Sequence, residues 1–202
     1  MNSMRVTSIV RIVALLSAYA PSTAWAHTGF ENVRGFMHGF SHPFSGVDHI
    51  LVMLLVGIFS YRLGGRALWM VPTSFVVLMG AGGIIGAAGI TMPFLETGIA
   101  LSVVVLGTSV LFDLKGPAPA AIAFVSPFAI IHGNAHGMEM GANALSVAYP
   151  AGFMLATALL HVSGMGISSL NEKISRGCEG LFIRSIGGVA AVAGIGILTS
   201  VV

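Results

Sequence analysis

The chain has 202 residues, the length of one domain, and only 8% of them are charged against 55% hydrophobic, where an average soluble domain has about 25% charged residues. With a mean hydropathy of +0.94, that composition excludes an ordinary soluble enzyme and a disordered chain, and it makes a lipid bilayer the expected surrounding. Nine basic and seven acidic residues leave a net charge of +2 with no basic run, which excludes a nucleic-acid partner, and the single Cys178 excludes an intrachain disulfide or a multi-cysteine metal site.

In chain order, the first element is a targeting segment. Met1–Arg11 carries Arg5 and Arg11 and no acid, Ile12–Ala20 is apolar, Pro21 interrupts it, and Ala24-Trp25-Ala26 fits a small-x-small cleavage site. The apolar run is shorter than the ~20 residues that span a bilayer. The expectation is a signal peptide over 1–26, removed to leave a mature domain over 27–202 that starts at His27. An α-amine and an imidazole on that one residue form a possible chelate for a metal ion.

Six apolar stretches follow: Ser45–Tyr61, Ala67–Ile90, Phe94–Phe112, Pro117–Gly137, Leu145–Leu170 and Phe182–Val202. Each is close to membrane-spanning length, and backbone groups in lipid must be satisfied within the segment, so the expected fold is an all-α polytopic bundle of about six transmembrane helices. Arg62, Arg66, Lys115, Lys173, Arg176 and Arg184 fall at one surface and Arg34 alone at the other. The positive-inside rule then puts both mature chain ends in the periplasm of a bacterial inner membrane. Gly82-x-x-x-Gly86 fits close helix packing, within the bundle or at a homo-oligomer interface. Pro127 and Pro150 are expected to bend their helices.

Ionisable groups inside a membrane are costly and mark functional sites. One group is His38, His42, Asp48 and His49, with Pro43 suited to the first turn of span one. His42 and His49 are two helical turns apart and share a face if one helix includes both. A second group is His132, His136 and Glu139, which project from one stripe of a helix with ~3.6 residues per turn. The topology brings both groups to the periplasmic surface, where Glu96 opens span three. Asp48 and Glu96 also suit helix N-termini through the macrodipole. His161 lies deeper in span five, as a relay or as a structural histidine. Nitrogen and carboxylate ligands without thiolate suit Ni²⁺, Co²⁺, Zn²⁺ or Fe²⁺.

His42-Pro43-Phe44-Ser45-Gly46-Val47-Asp48-His49 matches the HPxxGxDH motif of the HupE/UreJ family of nickel permeases, and His132-Gly133-Asn134-Ala135-His136-Gly137-Met138-Glu139 resembles its HGxAHGxE motif. The Ala-His-Thr-Gly junction at Ala26–Gly29 and the six spans extend the resemblance over the whole chain; Ile131 stands where many members have Phe. The resemblance implies an inner-membrane permease that supplies Ni²⁺, or in some members Co²⁺, to hydrogenase or urease maturation. It implies His42, Asp48, His49, His136 and Glu139 as metal residues, whereas His38, His132 and Glu96 rest on the geometry above. On this reading the ion is transported substrate rather than a prosthetic group, and downstream metallochaperones are candidate partners. Two other readings fit the same residues: a membrane-embedded zinc-dependent hydrolase, and a non-transporting metal-binding accessory subunit.

Overall fold

The structure, a computed structural model, describes residues 35–140, 148–174 and 180–201. The expected signal peptide, its cleavage site, His27 and Cys178 lie outside the described residues. Among these, every element is helical: α1 (Phe36–Ser41), a 3-10 turn (His42–Phe44), α2 (Val47–Leu63), α3 (Ala67–Ala87), α4 (Leu95–Leu111), α5 (Ala118–Glu139), α6 (Ala148–Ile174) and α7 (Leu181–Val201). Helices α3, α5, α6 and α7 are each long and apolar enough to cross a membrane, and α4, with 17 residues, is apolar but shorter. The segment from Phe36 to Leu63 passes the same test as a pair, bent by 84° at its break.

That break corrects the expected first stretch. The sequence predicts that span one starts at Pro43, with His42 and His49 on one face if a single helix includes both. Instead, Pro43 sits in the 3-10 turn, and Gly46 is extended (φ −108, ψ 126), which interrupts the hydrogen-bond ladder before α2 begins at Val47. At the other end of α2, Gly64 and Gly65 take positive φ angles and turn the chain into α3. Pro127 lies inside α5 as expected, Pro72 lies inside α3, and Pro150 falls in the first described turn of α6.

Helix α2 is central. Its residues from Val52 to Ser60 are buried with the sole exception of Leu54, against α3, α4 and α6. A helix that is apolar on every side belongs in the middle of a bundle. The outer surface is apolar too: Trp69, Val77 and Ile84 on α3, Leu159 and Val162 on α6, and Val189 and Val192 on α7 are exposed. In water so continuous an apolar surface drives aggregation; in lipid it is the required exterior.

Glycine pairs set the helix contacts. On α3 and α5, which run in parallel, Gly82 lies against the Ile130 carbonyl and Gly86 against that of Asn134, while Gly133 meets the Met79 carbonyl and Gly137 that of Gly83. Two small-x-x-x-small ridges thus face each other, so Gly82-x-x-x-Gly86 serves packing within the bundle. Gly57 and Gly164 do the same for α2 and α6, and Gly107 and Gly187 for α4 and α7. Without a large hydrophobic driving force between helices in lipid, close backbone approach supplies the van der Waals contact that holds them.

Charges collect at the end of the bundle opposite the histidine motifs. Arg62 donates to Asp113 through Nε (2.9 Å) and Nη2 (2.8 Å), Lys115 Nζ reaches the same carboxylate (3.0 Å), and the Tyr61 hydroxyl donates to Glu172 (2.7 Å). Partial burial alone would raise the Asp113 pKa, but the hydrogen bonds from Lys115 and Arg62 outweigh it and hold the carboxyl below its usual range. The end of α2 is thereby tied to the α4–α5 connection and to the end of α6.

A Cβ on Gly133 would overlap backbone of α3, whereas one on Gly166 meets nothing within 4 Å. Gly133→Ala is therefore expected to destabilise the detergent-solubilised protein by about 1–3 kcal/mol. Gly166→Ala is expected to leave stability unchanged or slightly raised, because alanine is the better helix former. Thermal midpoints followed by size-exclusion recovery check this; equal midpoints for the two variants would contradict the packing.

Candidate metal centre

The chain break is what assembles the centre. The 3-10 turn holds His42 over the start of α2, so that His42 and His49 flank His136 from two separate elements: the His136 ring lies 4.8 Å from His42 and 4.5 Å from His49, centroid to centroid. Glu139, one turn beyond His136 on α5, closes the group. Its Oε2 lies 2.9 Å from His42 Nε2 and 3.4 Å from His136 Nδ1. One ligand atom each from His42, His136 and Glu139 falls within 4.8 Å of the others, close enough for one ion to reach all three.

A second tier lies one helical turn deeper. The rings of His49 and His132 are 5.0 Å apart. His132 Nδ1 bonds the Phe128 carbonyl at 2.8 Å, and His49 Nδ1 bonds Asp48 Oδ1 at 3.0 Å. These acceptors assign the proton to Nδ1 in both rings. Each Nε2 is then left with a free lone pair, buried and without a protein partner. Neutral imidazole nitrogens with free lone pairs are what a divalent transition metal takes as ligands.

Asp48 therefore stands behind the histidine rings. Its Oδ1 accepts from both the backbone N–H (2.8 Å) and the ring of His49, which fixes the ring's orientation and tautomer. Gly46 makes this possible, since a Cβ there would come within 2.6 Å of Asp48 Oδ1 and 3.0 Å of His49 Nδ1. His38 is exposed at the mouth and stacks on His42 (6.3 Å) and near Tyr149 (5.7 Å). Glu96 is exposed in the first turn of α4, where an acid suits the helix dipole, and stands outside the three-ligand group. His161 is also apart, buried against Phe75 with ring centroids 5.3 Å apart.

Three contributors were not singled out by the sequence pattern, and two of them carry no signal in it. Tyr149 and Phe153, at the start of α6, wall the centre; the Phe153 ring lies 4.2 Å from that of His136. They read as ordinary apolar span residues, and only the α1–α6 contact, with Gly39 against the Tyr149 carbonyl, brings them here. Asn134 is fully buried, donates to the Ile90 carbonyl (2.8 Å) and accepts from the Met92 N–H (3.1 Å), tying the α3–α4 connection to the second motif. Its place inside that motif was the one available clue.

Comparison with known proteins agrees with the motifs. The family model described as HupE / UreJ protein matches residues 13–197. The chain belongs to the HupE/UreJ family. Protein HupE of Rhizobium leguminosarum bv. viciae is 44% identical over 190 residues, which cover 93% of this chain and 97% of that one. No solved structure matches. With its apolar helices, this HupE/UreJ chain is a membrane protein, and both motifs quoted from its sequence end in the one cluster.

The geometry ranks the residues. His136→Ala removes a ring that touches both tiers and should abolish measurable nickel binding in detergent. Asp48→Asn keeps the shape but weakens the orientation of His49, and should lower affinity by the ~10–100-fold typical of groups behind the ligands. Gly46→Ala should resemble Asp48→Asn. Calorimetric titration with Ni²⁺ measures all three; a loss in Asp48→Asn equal to that in His136→Ala would make Asp48 a direct ligand instead.

Proposed function

We propose that this chain is a secondary permease for a divalent transition metal, Ni²⁺ or Co²⁺, which captures the ion between His42, His136 and Glu139 and passes it inward through His49 and His132. The observation that carries the reading is the two-tier arrangement: ligand atoms of His42, His136 and Glu139 within 4.8 Å of one another, and beneath them the His49 and His132 rings, whose Nε2 atoms are buried with unshared lone pairs. A transfer pathway must bind weakly enough to release, and sites of two or three ligands in series suit that better than a closed cage.

The reading extends to orientation. On this reading the chain crosses six times, with α4 as a short span, the histidine end is periplasmic and the Arg62–Lys115 end is cytoplasmic in a bacterial inner membrane, which the positive-inside rule supports. A signal peptide over 1–26 and periplasmic ends of the mature chain complete this topology. Uptake then needs no nucleotide, because a divalent cation gains ~4.6 kcal/mol per 100 mV, about a thousandfold in accumulation. By family resemblance, the metal is destined for hydrogenase or urease maturation through downstream metallochaperones.

Purified protein in liposomes with an imposed inside-negative potential should take up Ni²⁺ above the protein-free rate. His42→Ala and His136→Ala should each reduce flux at least tenfold, and the double variant should lose little more, since residues that act as a unit are non-additive. Multiplicative losses would indicate independent stations, and wild-type flux in both single variants would overturn the site. Protons compete with metal for imidazole nitrogen, so uptake should fall rather than rise as external pH is lowered. Uptake that rises down to pH 5 would contradict capture by histidine.

A further inference from the structure

His161 is the one buried histidine that the two tiers leave unused. It is 1% exposed, on α6, and neither of its ring nitrogens has a protein hydrogen-bond partner. Buried polar groups are nearly always paired, so an imidazole kept in an apolar bundle without partners is a poor packing residue; leucine or phenylalanine fills that space at less cost. Its position is informative. Phe75 lies near both His132 (6.2 Å) and His161 (5.3 Å, edge-on), so one aromatic ring neighbours the deeper tier and His161 alike. The His161 carbonyl abuts Gly57, eight residues along α2 from His49, or about 12 Å further into the bundle.

The polar residues of α6 continue past it. Thr157, His161, Ser168 and Asn171 are all buried on the same helix, at spacings of four, seven and three residues, which keep side chains on one face. Ser168 Oγ is buried without a partner, and Ser168 also lines a cavity of about 200 Å³ with Tyr61, Arg62 and Glu172 at the charged end of the bundle. Four buried polar side chains between the deeper histidines and that cavity, interspersed with Leu160, Gly164 and Met165, are more than packing alone requires of an apolar helix.

We propose that His161 is an intermediate station for the transported cation, reached past the Phe75 ring, and that the buried polar face of α6 leads from it through Ser168 to the cavity beside Glu172. This rests on the permease reading. A single imidazole with hydroxyl and carbonyl oxygens nearby binds a divalent metal more weakly than the three-ligand group at the mouth, which is the order that lets an ion move inward rather than stay.

The test separates transfer from capture. Full-length His161→Leu, His161→Gln and Ser168→Val are purified, their Ni²⁺ affinity is titrated in detergent, and Ni²⁺ flux is measured in liposomes under an inside-negative potential. The expected result is nickel affinity within twofold of wild type, with flux down at least tenfold in both His161 variants and at least fivefold in Ser168→Val. Flux within twofold of wild type in any variant that retains its affinity would overturn the station or, for Ser168→Val, the route below it. Should the His161 variants fail to fold, Ser168→Val decides. Absence of flux in wild type, with binding intact, would instead overturn the permease reading itself.

Discussion

Histidines crowd one end of an apolar bundle with too few protein partners to satisfy them, and the rest of the structure follows from that. His49 and His132 each spend one nitrogen on a carboxylate or a carbonyl and leave the other free, and His136 has neither nitrogen hydrogen-bonded. Unpaired polar atoms in a low-dielectric interior are costly, and such a cluster persists only where its function repays it. A divalent cation offers what the protein withholds: one positive centre that several lone pairs can share.

Holding that cluster in place takes backbone contact rather than side-chain bulk. The reciprocal glycines of α3 and α5 lock the two helices in one register, and that register fixes the heights of His132 and His136. Slippage by one residue would rotate both rings away by about 100°. On the other side, the extended Gly46 lets the chain turn by 84° between the 3-10 segment and α2, so that residues seven apart approach His136 from different directions. Packing and site therefore use the same device, glycine where another residue would have a side chain.

Much of this was legible in the sequence. The six apolar stretches become helices whose ends fall within a few residues of the expected ones, since long apolar runs in lipid have few other solutions. The charged loops mark the end opposite the motifs, and Gly82-x-x-x-Gly86 packs inside the bundle. What stayed hidden depends on local backbone choice and tertiary register. Helical periodicity puts His42 and His49 on one face and has no means of registering that Gly46 is extended. Asp48 looks like a ligand by composition, yet its neighbour His49 is within reach of its carboxylate and claims it. Glu96 shares the right level by topology, but its helix presents it to the exterior. Tyr149 and Phe153 become site residues only through the contact of α1 with α6, which no spacing along the chain encodes.

On the permease reading, one ion is held by imidazole and carboxylate groups drawn from both motifs. X-ray absorption at the nickel edge of the Ni²⁺-loaded protein measures that coordination. The expected spectrum shows nitrogen and oxygen ligands only, with the multiple-scattering pattern of at least two imidazoles, and loss of one imidazole contribution in His42→Ala. A shell containing sulfur, or a spectrum unchanged by His42→Ala, would contradict it.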